Sequence, residues 1–419
     1  MRLLPALLTL AFSVLLAACG SSGSPGSGSV NGSSKVGHVF IIVLENKSYA
    51  KTFPATGTPP APYLAKTLPA MGVMLTQYHG TGHVSLDNYI TMVGGQAPNL
   101  QTSTDCQFFS DWVGTTTPDS NGQVTGTGCV YPAAIKTVAN QLQDKGLSWK
   151  GYMEDMGNDP ARDSGTACAH PTLNTQDKTQ SASATDLYAT RHNPFVYFHS
   201  IIDTDPNCKA HVVPLTALNA DLASAATTPN YVFISPNLCN DGHDTACVNG
   251  KPGGYESINT FLLEWVPKIT DSEAFRKDGL LIVTFDEADF TGGPGADSAA
   301  CCNEPAGPNF AGGIGNTIGS LLLNIPVVGG PLAVLVDTLG LGAISTAPLA
   351  GPGLIGPGGG RVGAVLVSPF ITPGSVSDVP YNHYSMLRSV EDIFHLPYLG
   401  YAAQPGLSSF VNDNKIFSN

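Results

Sequence analysis

Residues 38–49 read HVFIIVLENKSY. The first half, 39–44, is six apolar residues without a break, the composition of a strand covered on both faces rather than one with a wet face. The second half turns polar at once, with Glu45 beside Asn46. Open parallel sheets bind ligands outside the carboxyl ends of their strands. A carboxylate next to a carboxamide at that point is therefore either turn chemistry or part of a site. The pattern recurs downstream: YVFISPN (231–237) ends in Pro236 and Asn237, LLIVTFDE (280–287) ends in Asp286 and Glu287, and VGAVLVSPF (362–370) is stopped by Pro369.

Helical periods separate these runs. Helices are predicted over 131–145 ahead of Gly146, over 215–225, over 255–269 with Ile258, Leu262 and Trp265 on one face, and within HYSMLRSVEDIFHL (383–396). Strand and helix in alternation predict an α/β fold with a mostly parallel central sheet and helices on both faces. From about 291 to 360 the rhythm breaks into a Gly- and Pro-rich apolar insertion. It contains IGSLLLNIPVVGGPLAVLVDTLGLGAI, interrupted by Pro326, Gly329, Gly330 and Pro331. The expectation is an insertion packed on the core, with a lipid-facing surface as the sharper alternative.

The chain has 419 residues and a net charge of −13, with only 19 Lys and Arg and no basic run. That argues against a nucleic-acid partner, because phosphate backbones attract dense positive charge. An acidic protein can still handle phosphate if a metal supplies the local field. The N-terminus, MRLLPALLTLAFSVLLAAC, reads as an export signal over residues 1–18. LAAC resembles the bacterial lipoprotein processing box, which makes Cys19 the lipidated residue and 19–34 a flexible tether, leaving 35–419 as the catalytic domain. The expected location is the cell envelope, with membrane attachment through that lipid; the alternative is plain secretion. Eight further cysteines in an exported chain predict up to four disulfides, with connectivity left open by the sequence; Cys239 with Cys247 would close a short loop.

The densest polar stretch is TQYHGTGHVSLDNYITMVGG (76–95). Ser85 opens a predicted helix, where it is either a plain cap or a nucleophile at the positive end of the helix dipole. No G-x-S-x-G motif surrounds it, so a metal is the expected activator of its hydroxyl. Glu45, Asn46, Asp286 and Glu287 offer hard oxygen donors from two strand ends for a divalent cation of uncertain identity. Asn88, three residues beyond Ser85, is placed to stabilise charge on a transferring group. His243 in SPNLCNDGHD, His383 in NHYS and His192 in TRHNPF are the histidines whose company suggests chemistry.

Together VFIIVLENKSY, GHVSLDNYITMVGG, HNPFVYF, ISPNLCNDGHD, VTFDEADF, RVGAVLVSPFITPG and YNHYSMLRSVEDIF, in this order, resemble the phosphoesterase family of bacterial acid phosphatases and non-haemolytic phospholipases C. That family is itself similar to the alkaline phosphatase superfamily, and its compact secreted acid phosphatase branch is the nearest in pattern. The resemblance implies that Glu45, Asn46, Ser85, Asp286 and Glu287 bind the metal and that Ser85 accepts the phosphoryl group. It further implies that Asn88 holds a phosphate oxygen, with His192, His243 and His383 around it. The implied activity is phosphate monoester hydrolysis, with phospholipase C or another phosphodiesterase, acting on lipid head groups, as the alternative. The apolar insertion departs from the compact branch.

Overall fold

The computed structural model describes residues 35–289, 297–310, 358–413 and 416–417. The export signal, Cys19, the tether and most of the apolar insertion lie outside these residues. The described chain is built on an eight-stranded sheet. Its strands are β1 (His38–Leu44), β2 (Val73–Leu75), β3 (Trp149–Met153), β4 (Val212–Pro214), β5 (Tyr231–Ser235), β6 (Gly279–Phe285), β7 (Ala364–Val367) and β8 (Ser375–Ser377), in the spatial order β8-β2-β7-β6-β1-β5-β3-β4. Pairings are parallel except those of β7 with β6 and β2, so one strand alone runs against the others. This is the expected α/β class.

β1 lies at the centre, and all seven of its residues are buried, as are all seven of β6. Side chains alternate between faces along a strand, so both faces are covered, which is why the apolar run has no polar interruption. Burying each Val, Ile or Leu there contributes about 1.5–3 kcal/mol relative to exposure. β1 and β6 pair in full register from His38 opposite Gly279 to Leu44 opposite Phe285. The next residues, Glu45 and Asp286, therefore leave the sheet at the same level, and the Asp286 amide extends the ladder to the Leu44 carbonyl at 2.9 Å.

The principal helices are α1 (Ser85–Gly94), α2 (Val138–Asp144), α3 (Gly254–Thr270), α4 (Glu273–Asp278) and α5 (His383–Phe394). The predicted helix over 131–145 begins only at Val138, because Thr137 and Asn140 form a reciprocal capping box there. The one over 215–225 is reduced to a 3-10 turn, Leu215–Ala217, and a single helical turn, Leu218–Asp221. Four strands escaped sequence reading (β2, β3, β4 and β8), since they are short and, in WKGYM, interrupted by Lys and Gly. The eight cysteines pair as Cys106–Cys129, Cys168–Cys208, Cys239–Cys247 and Cys301–Cys302.

Candidate active site

Ser85 is presented by a strained turn. Val84, just before α1, has φ +83°, a backbone state that costs a β-branched residue about 1–3 kcal/mol and persists only when its surroundings impose it. The Val84 amide donates to both oxygens of Glu287, at 3.2 and 3.1 Å, and His83 closes on the same carboxylate. Burial alone would lower the His83 pKa, but the Glu287 charge reverses this and raises it. From below, the Asn88 carbonyl accepts the Thr81 amide, the Thr81 hydroxyl and the Gly82 amide at 2.8, 3.1 and 3.1 Å. Its amide group donates to the Gly82 and Val84 carbonyls at 2.9 and 3.3 Å. A side chain at Gly82 would bring its Cβ to 2.7 Å from the buried Asp87 carboxylate, which would have to shift to admit it.

The hydroxyl so presented donates to Glu45 Oε2 at 2.8 Å. One turn later on the same face of α1, the Tyr89 hydroxyl donates to Glu45 Oε1 at 2.6 Å. The Tyr89 ring stacks on His192 with centroids 5.3 Å apart and planes within 6°. His192 lies between two acids, Nε2 3.4 Å from Glu45 Oε1 and Nδ1 3.1 Å from Asp241 Oδ2. Asn46 adopts the left-handed backbone (φ +57°) that asparagine tolerates, and its amide donates to Asp286 Oδ1 at 3.0 Å.

This cluster carries more negative charge than its hydrogen bonds satisfy. Burial holds Glu45 well above the usual carboxylate range, reinforced by Asp286 and Asp241. Burial likewise raises Asp241 strongly, while Asp286 is pushed up to about 7 by burial and by Glu287. Asn46 Oδ1, Asp241 Oδ2, Asp286 Oδ2 and both His192 nitrogens are buried without an aligned hydrogen bond, the close approach of His192 to the two acids included. Several orphaned buried acceptors at one place are rare in a native protein and point to a ligand. One donor atom each from Glu45, His192 and Asp241 lies within 4.8 Å of the others, a spacing that suits a metal ion. Carboxylate and amide oxygens with one imidazole fit a hard or borderline divalent cation.

The sequence-derived site residues thus divide. Glu45, Asn46, Ser85 and Asp286 adjoin one another, with His192 among them. Asn88 and Glu287 face the turn that carries Ser85, and Glu287 is not in the converging metal-type group. His383 lies behind Asp286: its Nε2–H donates to the Asp286 carbonyl at 2.5 Å, and its Nδ1 accepts from Tyr78 at 3.0 Å. Burial drives its pKa down to about 4. His243 is partly exposed, with its ring 6.0 Å from that of His192. Its Nε2 accepts from Arg191 at 3.3 Å, because a guanidinium can only donate. Its Nδ1–H therefore donates to Asp244, at 2.8 Å.

Four residues beyond those expectations belong to the site. Asp241 stands in the DGHD stretch, and Tyr89 is signalled by its i+4 spacing from Ser85. Lys47 donates to the Glu45 and Gly242 carbonyls at 3.2 and 2.8 Å, joining two loops; burial lowers its pKa against the pull of the surrounding acids. Arg191, buried next to His192, had no distinguishing sequence signal.

The chain is similar to several known proteins. A Kluyveromyces lactis protein described as "Probable acid phosphatase" is 26% identical over 361 residues, 86% of this chain and 59% of its own length. The phosphate-repressible acid phosphatase of Penicillium chrysogenum is 27% identical over 52% of this chain and 42% of its own. The chain therefore spans less than two thirds of these fungal relatives. A phosphatidylinositol-3-phosphatase from Mycobacterium tuberculosis is 26% identical over 60% of this chain and 64% of its own. Among solved structures, the wild-type alkaline phosphatase PafA aligns over 93% of this chain and 100% of its own, with 11% identity and a TM-score of 0.42. The Phosphoesterase family model matches residues 57–397, an interval that begins after Glu45 and holds Ser85, His192, Asp241, Asp286 and His383. With most of its length inside that match, the chain belongs to the Phosphoesterase family.

Proposed function

We propose that the protein is a metal-dependent acid phosphatase that hydrolyses phosphate monoesters through a phosphoserine at Ser85. The observation that carries this reading is the Ser85 hydroxyl, held on a strained turn and donating to Glu45 within a cluster of buried, unsatisfied ligand atoms. The acid phosphatases among the relatives support the same substrate class. Glu45, Asn46 and Asp286, with Asp241 and His192 alongside, would hold a divalent cation. When bound, that cation supplies positive charge that favours the ionised hydroxyl and offsets charge on the phosphoryl oxygens.

Ser85 Oγ attacks phosphorus as its proton passes to Glu45 Oε2. The Oγ–P bond forms, the P–O bond to the alcohol breaks, and the alcohol leaves with a proton from solvent. Water then attacks the phosphoserine, the P–Oγ bond breaks, and Oγ takes back the proton held on Glu45 Oε2 as inorganic phosphate leaves with the protons of the water. His243 lines the rim, its Nε2 accepting from Arg191 and its Nδ1–H donating to Asp244. The turn residues Asn88 and Glu287 act by fixing Oγ, and His383 by fixing the Asp286 backbone.

A lipid phosphate is the second substrate reading, favoured by the relative named phosphatidylinositol-3-phosphatase; phospholipase C or other diester cleavage is its extension. The N-terminal signal, the lipoprotein box and the paired cysteines support an exported, lipid-anchored protein. The experiment supplies p-nitrophenyl phosphate, its bis-ester and a short-chain phosphatidylinositol phosphate after chelation and single-metal repletion. Phosphate on the Ser85 peptide, seen by mass spectrometry after acid quench and absent from S85A, is expected. Full turnover by S85A would end the nucleophile assignment, and exclusive bis-ester cleavage would replace the monoesterase reading.

A further inference from the structure

We propose that Tyr89 is a positioning residue for the reaction, its hydroxyl holding the Glu45 carboxylate so that Oε2 faces the Ser85 hydroxyl. This rests on the role proposed above for Glu45 as acceptor of the Ser85 proton. The two hydroxyls that Glu45 accepts come from one helix. Ser85 opens α1 and donates to Oε2 at 2.8 Å; Tyr89 follows four residues later and donates to Oε1 at 2.6 Å. Residues four apart share a face of a helix, about 6 Å apart along its axis. The helix therefore presents two donors at a fixed spacing, and the carboxylate bridges them. All three side chains are buried, Glu45 and Tyr89 completely.

Burial by itself does not choose the orientation of Glu45. The last torsion of a glutamate is broad, and a quarter turn about it would swing both oxygens off the line of α1. The Ser85 bond cannot hold the carboxylate throughout, because Oγ gives up its proton and joins phosphorus. The Tyr89 bond takes no part in that exchange and persists, so the proton waits on Oε2 where Oγ later takes it back. The ring that carries the hydroxyl is itself gripped. Its face stacks on His192 with centroids 5.3 Å apart, and Phe233 of β5 meets it edge-on at 6.2 Å. Each carboxylate oxygen has two lone pairs, so accepting one hydroxyl apiece leaves both able to face the proposed cation.

The test is the first turnover on p-nitrophenyl phosphate, followed by p-nitrophenol release after rapid mixing, with the full chain saturated with the divalent cation that best restores activity. The variants are Y89F, Tyr89→4-aminophenylalanine, E45Q and Y89F/E45Q, with a melting temperature for each. Y89F keeps the stacked ring and removes only the hydroxyl. It is expected to slow the first turnover at least about tenfold, while the half-saturating substrate concentration moves less than about threefold. The amino variant keeps an N–H donor in the same place and should stay within about threefold of the wild-type rate. Adding Y89F to E45Q should cost no more than about twofold further, because both changes disable one carboxylate. If Y89F fails to fold, the amino variant carries the test: folded, yet below about a tenth of the wild-type rate, it would sink the role. Wild-type rate in Y89F beside a slow E45Q would sink the positioning role alone, as would multiplicative losses in the double variant. Wild-type turnover in E45Q would overturn both this inference and the role of Glu45 on which it rests.

Discussion

Replacing Asn88 by alanine separates two roles for this side chain. The sequence resemblance assigns its amide to a phosphate oxygen, whereas in the structure both ends of the amide hold the turn before Ser85. The side chain is fully buried. It makes five hydrogen bonds, three accepted and two donated. Truncation leaves two amides and two carbonyls of the buried turn without that partner, together with the Thr81 hydroxyl. An orphaned buried group costs about 1–3 kcal/mol, and water entering the new space recovers part of this. The expected loss is about 4 kcal/mol, large beside a typical stability of about 5–15 kcal/mol. The assay is urea unfolding of the metal-free protein followed by Trp fluorescence, with the slope checked for constancy, beside kcat on p-nitrophenyl phosphate. Turnover should fall at least about tenfold, because the strained Val84 relaxes and Ser85 moves with it. A variant within about 1 kcal/mol of wild type whose kcat/KM nevertheless collapses would refute the turn-holding account and return Asn88 to the substrate.

Glu154, whose carboxylate accepts from Asn237 and Asn240, is pushed up to about 7 by burial. The native state keeps a proton there that the unfolded chain has released above about 4.5, so stability declines as pH rises through this window. Between pH 4.5 and 7.5, E154Q should gain about 3 kcal/mol on wild type in denaturant titrations; a constant difference would exclude the shift. His383, driven down to about 4 by burial, works with the opposite sign. The unfolded chain takes a proton below about 6.5 that the native ring refuses, so stability present at neutral pH is lost as pH falls toward 4. H383L should flatten that acid decline while costing about 2–4 kcal/mol at pH 7, since the Asp286 carbonyl and Tyr78 hydroxyl lose their partner. Chelation should lower the melting temperature of the wild type. Repletion at about a hundred times Kd should restore about 3 kcal/mol, with little gain in D286N; an equal gain in D286N would remove Asp286 from the ligand set.

What the sequence made legible was whatever depends on pattern along one segment. The run 39–44 and its partner 280–285 could be read as central strands because burial on both faces leaves no other composition. Glu45, Asn46, Ser85 and Asp286 followed from their positions at strand and helix ends. The short strands were not legible, since three-residue elements such as Val73–Leu75 owe their state to neighbours far away in the chain. Nor was the division of labour among polar residues. Asn88 and Glu287 have the chemistry of phosphate and metal partners, and only the φ of Val84 shows what their hydrogen bonds sustain. Arg191 was silent because its partners, Asp105, Gln180 and His243, lie 86, 11 and 52 residues away.

The full register between β1 and β6 has a bearing on how the gene can change. Each strand residue advances about 3.3 Å and alternates the face of its side chain. Deleting one codon between His38 and Leu44 would draw Glu45 back by that distance relative to Asp286 and send it to the opposite face. Substitutions within β1 can be absorbed by repacking, but a change of length cannot. The six apolar residues are thus a ruler as much as a core, and insertions and deletions should be tolerated in the loops yet lethal to the site within these two strands.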